Sequence, residues 1–523
     1  MLSRHKRAAA VWLPLGLGIL LLAAGATACL ADPVASSPPS PRVAPAFSFS
    51  VLKDRARELA AKPYQPEPGA ELPDFLKRLN YDQYQSLRFR PEQGPWKGER
   101  LPFSIQFFHR GYLFQDPVRI YLVDAGQVQD FRFSPQQFDY GQNQFPKPVP
   151  PDLQFAGLRV LYPVNNPSKQ DEVATFIGAS YFRLIGAHQR YGAAGRGLAI
   201  NTAEPSGEEF PRFTEFWIEK PGQSANYLQL FALLDSPSVT GAWRFVIKPG
   251  EATELEVEAS IFLRKEVKKL GLAPLTSMML IGANHIRCIP DFRPEVHDSD
   301  GLLLRHGAEQ WLWRPLINPE KDHQVSDFPA QELKGFGLLQ RERDFHDYQD
   351  LASRYEVRPS LWVEPRDTWG RGALELVEIP TPSEGNDNIV AYWVAKDTPA
   401  VGQEFHWTYS LTASLTDPPR PPLLRVLNTR INPEHDKLPP RFVIDFTGDS
   451  LPSLAASAPV AANVQASHGE FRNVVIEKNE VTGGWRTFFD LAGAGAQPAE
   501  LRLFLHSGDL VLSETWVYHY RGP

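Results

Sequence analysis

The sequence predicts an all-β protein, a large β-sandwich followed by a small one. Three observations carry this. Apolar residues recur every second position in segment after segment, as in Glu254-Leu-Glu-Val-Glu-Ala-Ser-Ile261, where acid and apolar side chains alternate. The 523-residue chain holds 48 prolines and 37 glycines, which favours many turns over long helices. A third mark is aromatic content: 11% Phe, Trp and Tyr, with 12 tryptophans against 3 methionines, suits pleated surfaces.

Further strand candidates are Arg119–Val123, Phe231–Leu234, Trp243–Ile247 and Leu374–Ile379, separated by Gly, Pro, Asn and Asp clusters. Two helices are expected near the start. In Phe49–Lys62, Leu52, Ala56 and Leu59 share a face and Pro63 ends the pattern; Leu72–Leu87 carries Phe75, Leu76, Leu79 and Tyr84. Thr416-Asp-Pro-Pro-Arg-Pro-Pro422 reads as a stiff, extended connector. The hundred or so residues beyond it match the size of an immunoglobulin-like module. Its strands are expected at Leu424–Leu427, Arg441–Phe446, Asn473–Glu477, Trp485–Phe489, Leu501–Leu505 and Leu510–Trp516, with Ser507-Gly508-Asp509 as a hairpin turn. The expected organisation is a large β domain over 47–415, a linker over 416–422 and a small sandwich over 423–523.

The N-terminus has the three-part layout of an export signal: Arg4, Lys6 and Arg7, an apolar run from Ala8 to about Ala28, and small residues at its end. Ala26-Thr27-Ala28 is an A-x-A-like cleavage site, and the same residues precede Cys29, which leaves a lipoprotein reading open. Residues 1–31 are taken as signal peptide and 32–46, rich in Pro and Ser, as a flexible tether. No other apolar stretch reaches the length of a membrane span. The expected compartment is the periplasm, reached by the general secretory route, since no twin-arginine pair is present. Cys29 and Cys288 are the two cysteines, so no disulfide framework is expected and Cys288 reads as a small buried apolar residue.

The formal charge is −7, and loss of the three N-terminal cations leaves 51 basic against 61 acidic residues. This excludes the basic face that nucleic acid demands. No G-x-S-x-G, P-loop, H-E-x-x-H or CxxC motif occurs, and the 13 histidines show no metal-like spacing. No cofactor and no metal are expected. Gly192-Ala-Ala-Gly-Arg-Gly197 reads as a loop. What remains is carboxylates beside aromatics, the combination glycosyl transfer uses: one carboxylic acid to protonate the glycosidic oxygen and a second carboxylate to assist water. Two acidic segments stand out, Asp291–Gly301 and Glu384–Ile389, with Arg354–Trp362 as a third mixed piece. Composition alone allows each to be a solvated turn.

Long strings in order resemble a known family. They include Ala179-Ser-Tyr-Phe-Arg183, Gly207-Glu-Glu-Phe-Pro-Arg212-Phe-Thr-Glu-Phe-Trp217, Arg293-Pro-Glu-Val-His297-Asp-Ser-Asp300-Gly-Leu, Arg358-Pro-Ser-Leu-Trp362-Val-Glu-Pro and Asp387-Asn-Ile-Val390. From about residue 47 onward the chain resembles the osmoregulated periplasmic glucan biosynthesis proteins G and D (OpgG/OpgD), and the absence of a twin-arginine signal favours the G type. The resemblance implies a large mutarotase-like β-sandwich, an immunoglobulin-like domain, and a cleft for β-1,2-linked glucan. It further implies an anomer-inverting hydrolase, with Asp387 as general acid, Asp300 as general base and Tyr355 as a relay. Asp298 is the rival of Asp300, and Glu384 a candidate sugar ligand. Trp217, Trp369 and Trp393 are candidate stacking platforms, and Arg293, His297, Glu209 and Arg212 candidate hydroxyl ligands. A transglycosylase using the same residues, and a glucan-binding assembly factor working beside a membrane glucan synthase, are the alternatives.

Overall fold

A computed structural model describes residues 46–66, 71–284, 289–307, 310–435, 438–448, 459–495 and 497–521. The signal peptide, Cys29, nearly all of the tether and Cys288 lie outside these residues. Strands hold 47% of the chain and helices 8%, so the class is all-β. Among the described residues, no helix is long and apolar enough to cross a membrane.

Two large sheets face each other. One has ten strands and runs from Ser104–Phe108 through Gly157–Tyr162, Asp171–Ile177, Tyr181–Leu184, Ala194–Arg196, Leu270–Ser277, Ile389–Ala395 and Gly372–Glu378 to Gln324–Ala330. The other has fifteen and includes Arg119–Asp124, Arg212–Glu219, Leu228–Asp235, Val239–Lys248 and Thr253–Leu263. Alternation decides which side chains meet. In Thr253–Leu263 the odd positions Leu255, Val257 and Ala259 are buried while Glu254, Glu256 and Glu258 lie outward. Phe176 and Phe182 of the first sheet interlock with Phe216 and Phe245 of the second, at 5.2–5.6 Å between ring centres. Burying such rings contributes roughly 2–3 kcal/mol each.

The outer face of the second sheet is closed by helix α1, Phe49–Ala60, which the 3.6-residue spacing predicts. Ser48 caps its N-terminus, and Leu52 and Ala56 bury against Trp217, Phe231, Leu233 and Phe262. The second expected helix is two short ones, Asp74–Lys77 and Tyr81–Gln85. Asn80 is the reason: its side chain accepts from Gln83 N at 2.9 Å while Gln83 returns a bond to Asn80 N at 3.0 Å, a capping box that starts a helix afresh. The expected loop at Gly192–Gly197 contains a short strand, Ala194–Arg196. Its glycine serves close approach, since a Cβ at Gly195 would fall 2.5 Å from the Phe182 ring.

The C-terminal residues form a four-stranded sheet, Arg425–Asn432, Arg441–Thr447, Trp485–Ala492 and Glu470–Lys478. It packs on Ala461–Ala466, Ala499–Ser507 and Thr515–Tyr520, which continue the fifteen-stranded sheet through parallel pairing of Leu312 with Thr515 and Trp313 with Trp516. The expected strand Leu510–Trp516 is interrupted after Val511. Ser513 Oγ takes the Leu505 N–H at 2.8 Å, which turns the buried Glu514 carboxylate inward. There it meets Val426 N, Arg341 and Arg420, and Asp417 completes the ion cluster.

His109 is buried among Phe133, Phe138 and Tyr140, its Nδ1–H donating to Arg110 O at 2.7 Å. Burial lowers its pKa from 6.5 to about 4 despite that bond. The folded state therefore resists the proton that the unfolded chain takes up near pH 6.5, and stability falls as pH drops between those values. Replacing His109 by Gln is expected to remove up to about 3 kcal/mol of this acid loss. Denaturant titrations at about pH 7 and about pH 4 check it; equal acid losses in both proteins would show that the imidazole is not held neutral.

Candidate active site

Asp387 sits two residues before the strand Ile389–Ala395. Asn388 fixes it there: the buried amide accepts from Met279 N at 2.8 Å and donates to Met279 O at 3.0 Å and Ile379 O at 2.9 Å. Neighbouring strands of the ten-stranded sheet supply the partners of the carboxylate. Thr276 Oγ1 lies 3.2 Å and Arg183 NH2 3.3 Å from the same oxygen, Oδ2. Oδ1 has no hydrogen-bond partner among the described residues, and the side chain is 25% exposed.

The Asp291–Gly301 segment arrives on a two-stranded ribbon, Met279–Ile281 with Val296–His297. Asp298 N donates to Met278 O at 2.8 Å, and Ser299 and Ser277 hydroxyls meet at 2.8 Å. The carboxylate of Asp298 is paired with Arg358. Burial holds its pKa above the usual range; Arg358 opposes this and the charge of Asp387 adds to it. That influence places Asp298 on the Asp387 side of the ribbon. His297 and Asp300 serve a different neighbourhood. His297 Nε2 lies 2.8 Å from Glu295 Oε2 and Nδ1 lies 2.8 Å from Gln340 Oε1. Asp300 Oδ2 accepts from Arg341 N at 2.8 Å and Glu342 N at 3.0 Å, and its buried Oδ1 has no partner. Burial raises its pKa, opposed by His297 and those two N–H groups. No hydrogen bond or ion pair among the described residues joins Asp300 to Asp387 or Tyr355.

Tyr355 opens a single 3-10 turn, Tyr355–Val357. Its ring packs 5.7 Å from Tyr348, with the Arg358 guanidinium 4.1 Å from its centre. Its hydroxyl donates to Glu384 Oε2 at 2.9 Å, and burial above all keeps the phenol protonated. Arg293 NH1 reaches the same Glu384 oxygen at 2.6 Å while Asp291 and Asp350 hold the rest of its guanidinium. Asp387, Asp298 and Glu384 are thus interleaved with Arg183, Arg358 and Arg293, and Tyr355 lies against Glu384 and Arg358.

The other expected ligands stand elsewhere. Glu209 accepts from Ser238 N and Oγ, and Arg212 pairs with Asp116. The three tryptophans are core residues, a correction to their expected role as platforms. Trp217 has Phe47 stacked 5.3 Å away and Tyr121 5.1 Å away, so both faces are occupied. Trp393 is sealed, and Trp369 sits in the main core with its Nε1–H on Thr408 O at 3.3 Å. Phe292, beside Arg293, is an exposed aromatic, 80% accessible. Arg183 and Thr276 were not singled out from sequence. The outward phase of Arg183 between buried Phe182 and Leu184 was the available signal.

Because Asp298 is 4% exposed and Arg358 is its paired cation, Arg358→Met is expected to destabilise the fold by roughly 3–5 kcal/mol. Asp298→Asn in addition restores much of that. Denaturant titration of the two single variants and the double variant measures the coupling; purely additive losses would contradict it.

Comparison with known proteins agrees over almost the full length. The family model described as "Periplasmic glucan biosynthesis protein, MdoG" matches residues 47–520. A relative named "Glucans biosynthesis protein G" from Ralstonia nicotianae is 46% identical over 490 residues, covering 92% of this chain and 97% of its own. One of the same name from Rhodopseudomonas palustris strain BisA53 is 45% identical over 501 residues, covering 96% and 99%. Among solved structures, the Slr1438 protein from Synechocystis aligns with 50% of this chain and 93% of its own at 8% identity, with a TM-score of 0.17 that carries no argument. With conserved length and a match spanning both sandwiches, the chain belongs to the periplasmic glucan biosynthesis protein family, MdoG.

Proposed function

We propose that the protein cleaves β-1,2-glucan internally, in the periplasm, with inversion at the anomeric carbon. One observation carries the reading. Asp387 has one oxygen pinned by Thr276 and Arg183 and the other free on a partly exposed side chain, within a field of arginine-held carboxylates. A carboxyl fixed on one side and open on the other can direct a proton at a bound glycosidic oxygen.

In this scheme the Asp387 proton passes to the leaving oxygen as the C1–O bond breaks. Water attacks C1 from the opposite face, and its proton passes to the Tyr355 hydroxyl and on through bridging water to Asp300, the base that the family resemblance implies, which has no direct hydrogen bond to that hydroxyl. The phenol accepts one proton as it releases another, which a group held protonated by burial can do. Asp300 suits the base role because Oδ1 has no donor, whereas Asp298 is committed to Arg358. Inverting enzymes place the two carboxyls roughly 6.5–9.5 Å apart, and a hydroxyl relay lengthens that reach. Glu384 and Arg293 bind sugar hydroxyls, and the exposed ring of Phe292 offers a stacking face at the rim.

Purified protein is expected to release reducing ends from linear β-1,2-glucan, and Asp387→Asn to lower that rate at least about 100-fold with an unchanged melting temperature. Full activity in this variant would reject the assignment. Phe292→Ala is expected to raise KM about 3- to 10-fold at constant kcat; an unchanged KM would remove the ring from the binding surface.

A further inference from the structure

Glu295, His297 and Glu342 are buried, and one ligand atom from each lies within 4.8 Å of the others. Glu295 immediately precedes the ribbon strand Val296–His297, and its Oε2 lies 2.8 Å from His297 Nε2, so the two side chains point to the same place. Glu342 comes from the segment after the strand Leu333–Leu339. They border a cavity of about 30 Å³, room for one ion with a water molecule.

The hydrogen-bond inventory of this cluster is short of positive charge. Gln340 Nε2 donates to His297 O at 3.0 Å, so its Oε1 is the atom facing the ring. His297 Nδ1 therefore carries a hydrogen, and Nε2 is the nitrogen directed at Glu295. A second-shell carbonyl on one ring nitrogen, leaving the other to face carboxylates, is the arrangement of a metal-binding histidine. Glu342 Oε1 receives Asn428, and its buried Oε2 has no donor at the cavity wall other than a proton shared with the Glu295 carboxyl. Glu342 is 8% exposed, so solvent does not supply one. The nearby arginines are engaged elsewhere: Arg341 with Glu514 and Asp417, Arg343 with the carbonyls of Glu356 and Arg358, Arg430 with Asp445. An unpaired buried carboxylate oxygen costs several kcal/mol.

We propose that Glu295, His297 and Glu342 bind a divalent transition-metal cation of the zinc or manganese class. One imidazole nitrogen and two carboxylates are the borderline donor set these ions take, with water filling the remaining position. The cavity shares Met279, Gly282 and Asn284 with a larger pocket of about 460 Å³ beside Tyr520 and Arg521, the side from which an ion would enter. The cation neutralises the cluster and ties the ribbon to the Glu342 segment. This goes beyond the glucanase reading and does not need it, since the test reads binding alone.

The full exported chain, stripped with chelator, is titrated separately with Zn²⁺ and Mn²⁺ by calorimetry, with bound metal counted by mass spectrometry. One equivalent of either ion is expected, with a rise in melting temperature. Glu342→Gln and Glu295→Gln are each expected to weaken binding about 10-fold or more and to abolish that rise. Two variants guard against one failing to fold. Absence of binding by both ions, or binding that persists unweakened in the folded variants, overturns the proposal and leaves the cluster as carboxyl groups sharing protons.

Discussion

The buried amide of Asn388 is the joint on which the candidate site hangs. It spends three hydrogen bonds on the backbones of Met279 and Ile379, so one side chain ties the start of Ile389–Ala395 to the ribbon and to the end of Gly372–Glu378. Each of those backbone groups would otherwise be a buried orphan costing a few kcal/mol. Asp387 precedes this joint by one residue, and Asp298 follows from the ribbon it holds. The loop that carries a reactive carboxylate is thus anchored to sheet geometry and not to its own sequence.

Charge is organised on two sides of that ribbon. On one side, arginines from three separate segments, Arg183, Arg293 and Arg358, pair with Asp387, Glu384 and Asp298, which leaves Asp387 and Glu384 partly open to solvent. On the other, Glu295, Glu342 and Asp300 crowd a small cavity with one imidazole among them. Asp300 belongs to this second group, its carboxylate seated on the N–H groups of Arg341 and Glu342. Arg341 stacks 3.6 Å from the Trp313 ring centre and is clamped by Glu514 and Asp417. The C-terminal strands therefore bear on the position of Asp300 through a buried ion cluster, in which loss of one partner leaves an uncompensated charge.

Strand phase was the most legible feature of the sequence. The run Glu254–Ile261 places its leucine, valine and alanine inward as its pattern requires, and Ser507 to Leu510 does turn a hairpin. Elements failed where a side chain outranked periodicity: Asn80 restarted a helix, and Ser513 with Glu514 broke a strand for a partner some 170 residues away. Acidic segments were visible as candidates, yet their sorting was not, because the partners that separate Asp298 from Asp300, Arg358 for one and the Arg341 and Glu342 N–H groups for the other, come from distant segments. Tryptophans misled because the same ring suits a core or a sugar, and only neighbours such as Phe47 and Tyr121 decide. The pairing of Glu295 with His297 was not read from the sequence, where His297 was expected to be a hydroxyl ligand. Nor was the third member of the cluster, Glu342.

The central claim is that this arrangement of carboxylates drives an inverting cleavage. Proton NMR of the wild-type protein acting on linear β-1,2-glucan tests it most directly, by following the first reducing ends before they mutarotate. The account predicts that the α-anomer appears first. New β-anomeric ends, or longer and branched chains with no new reducing ends, would contradict it.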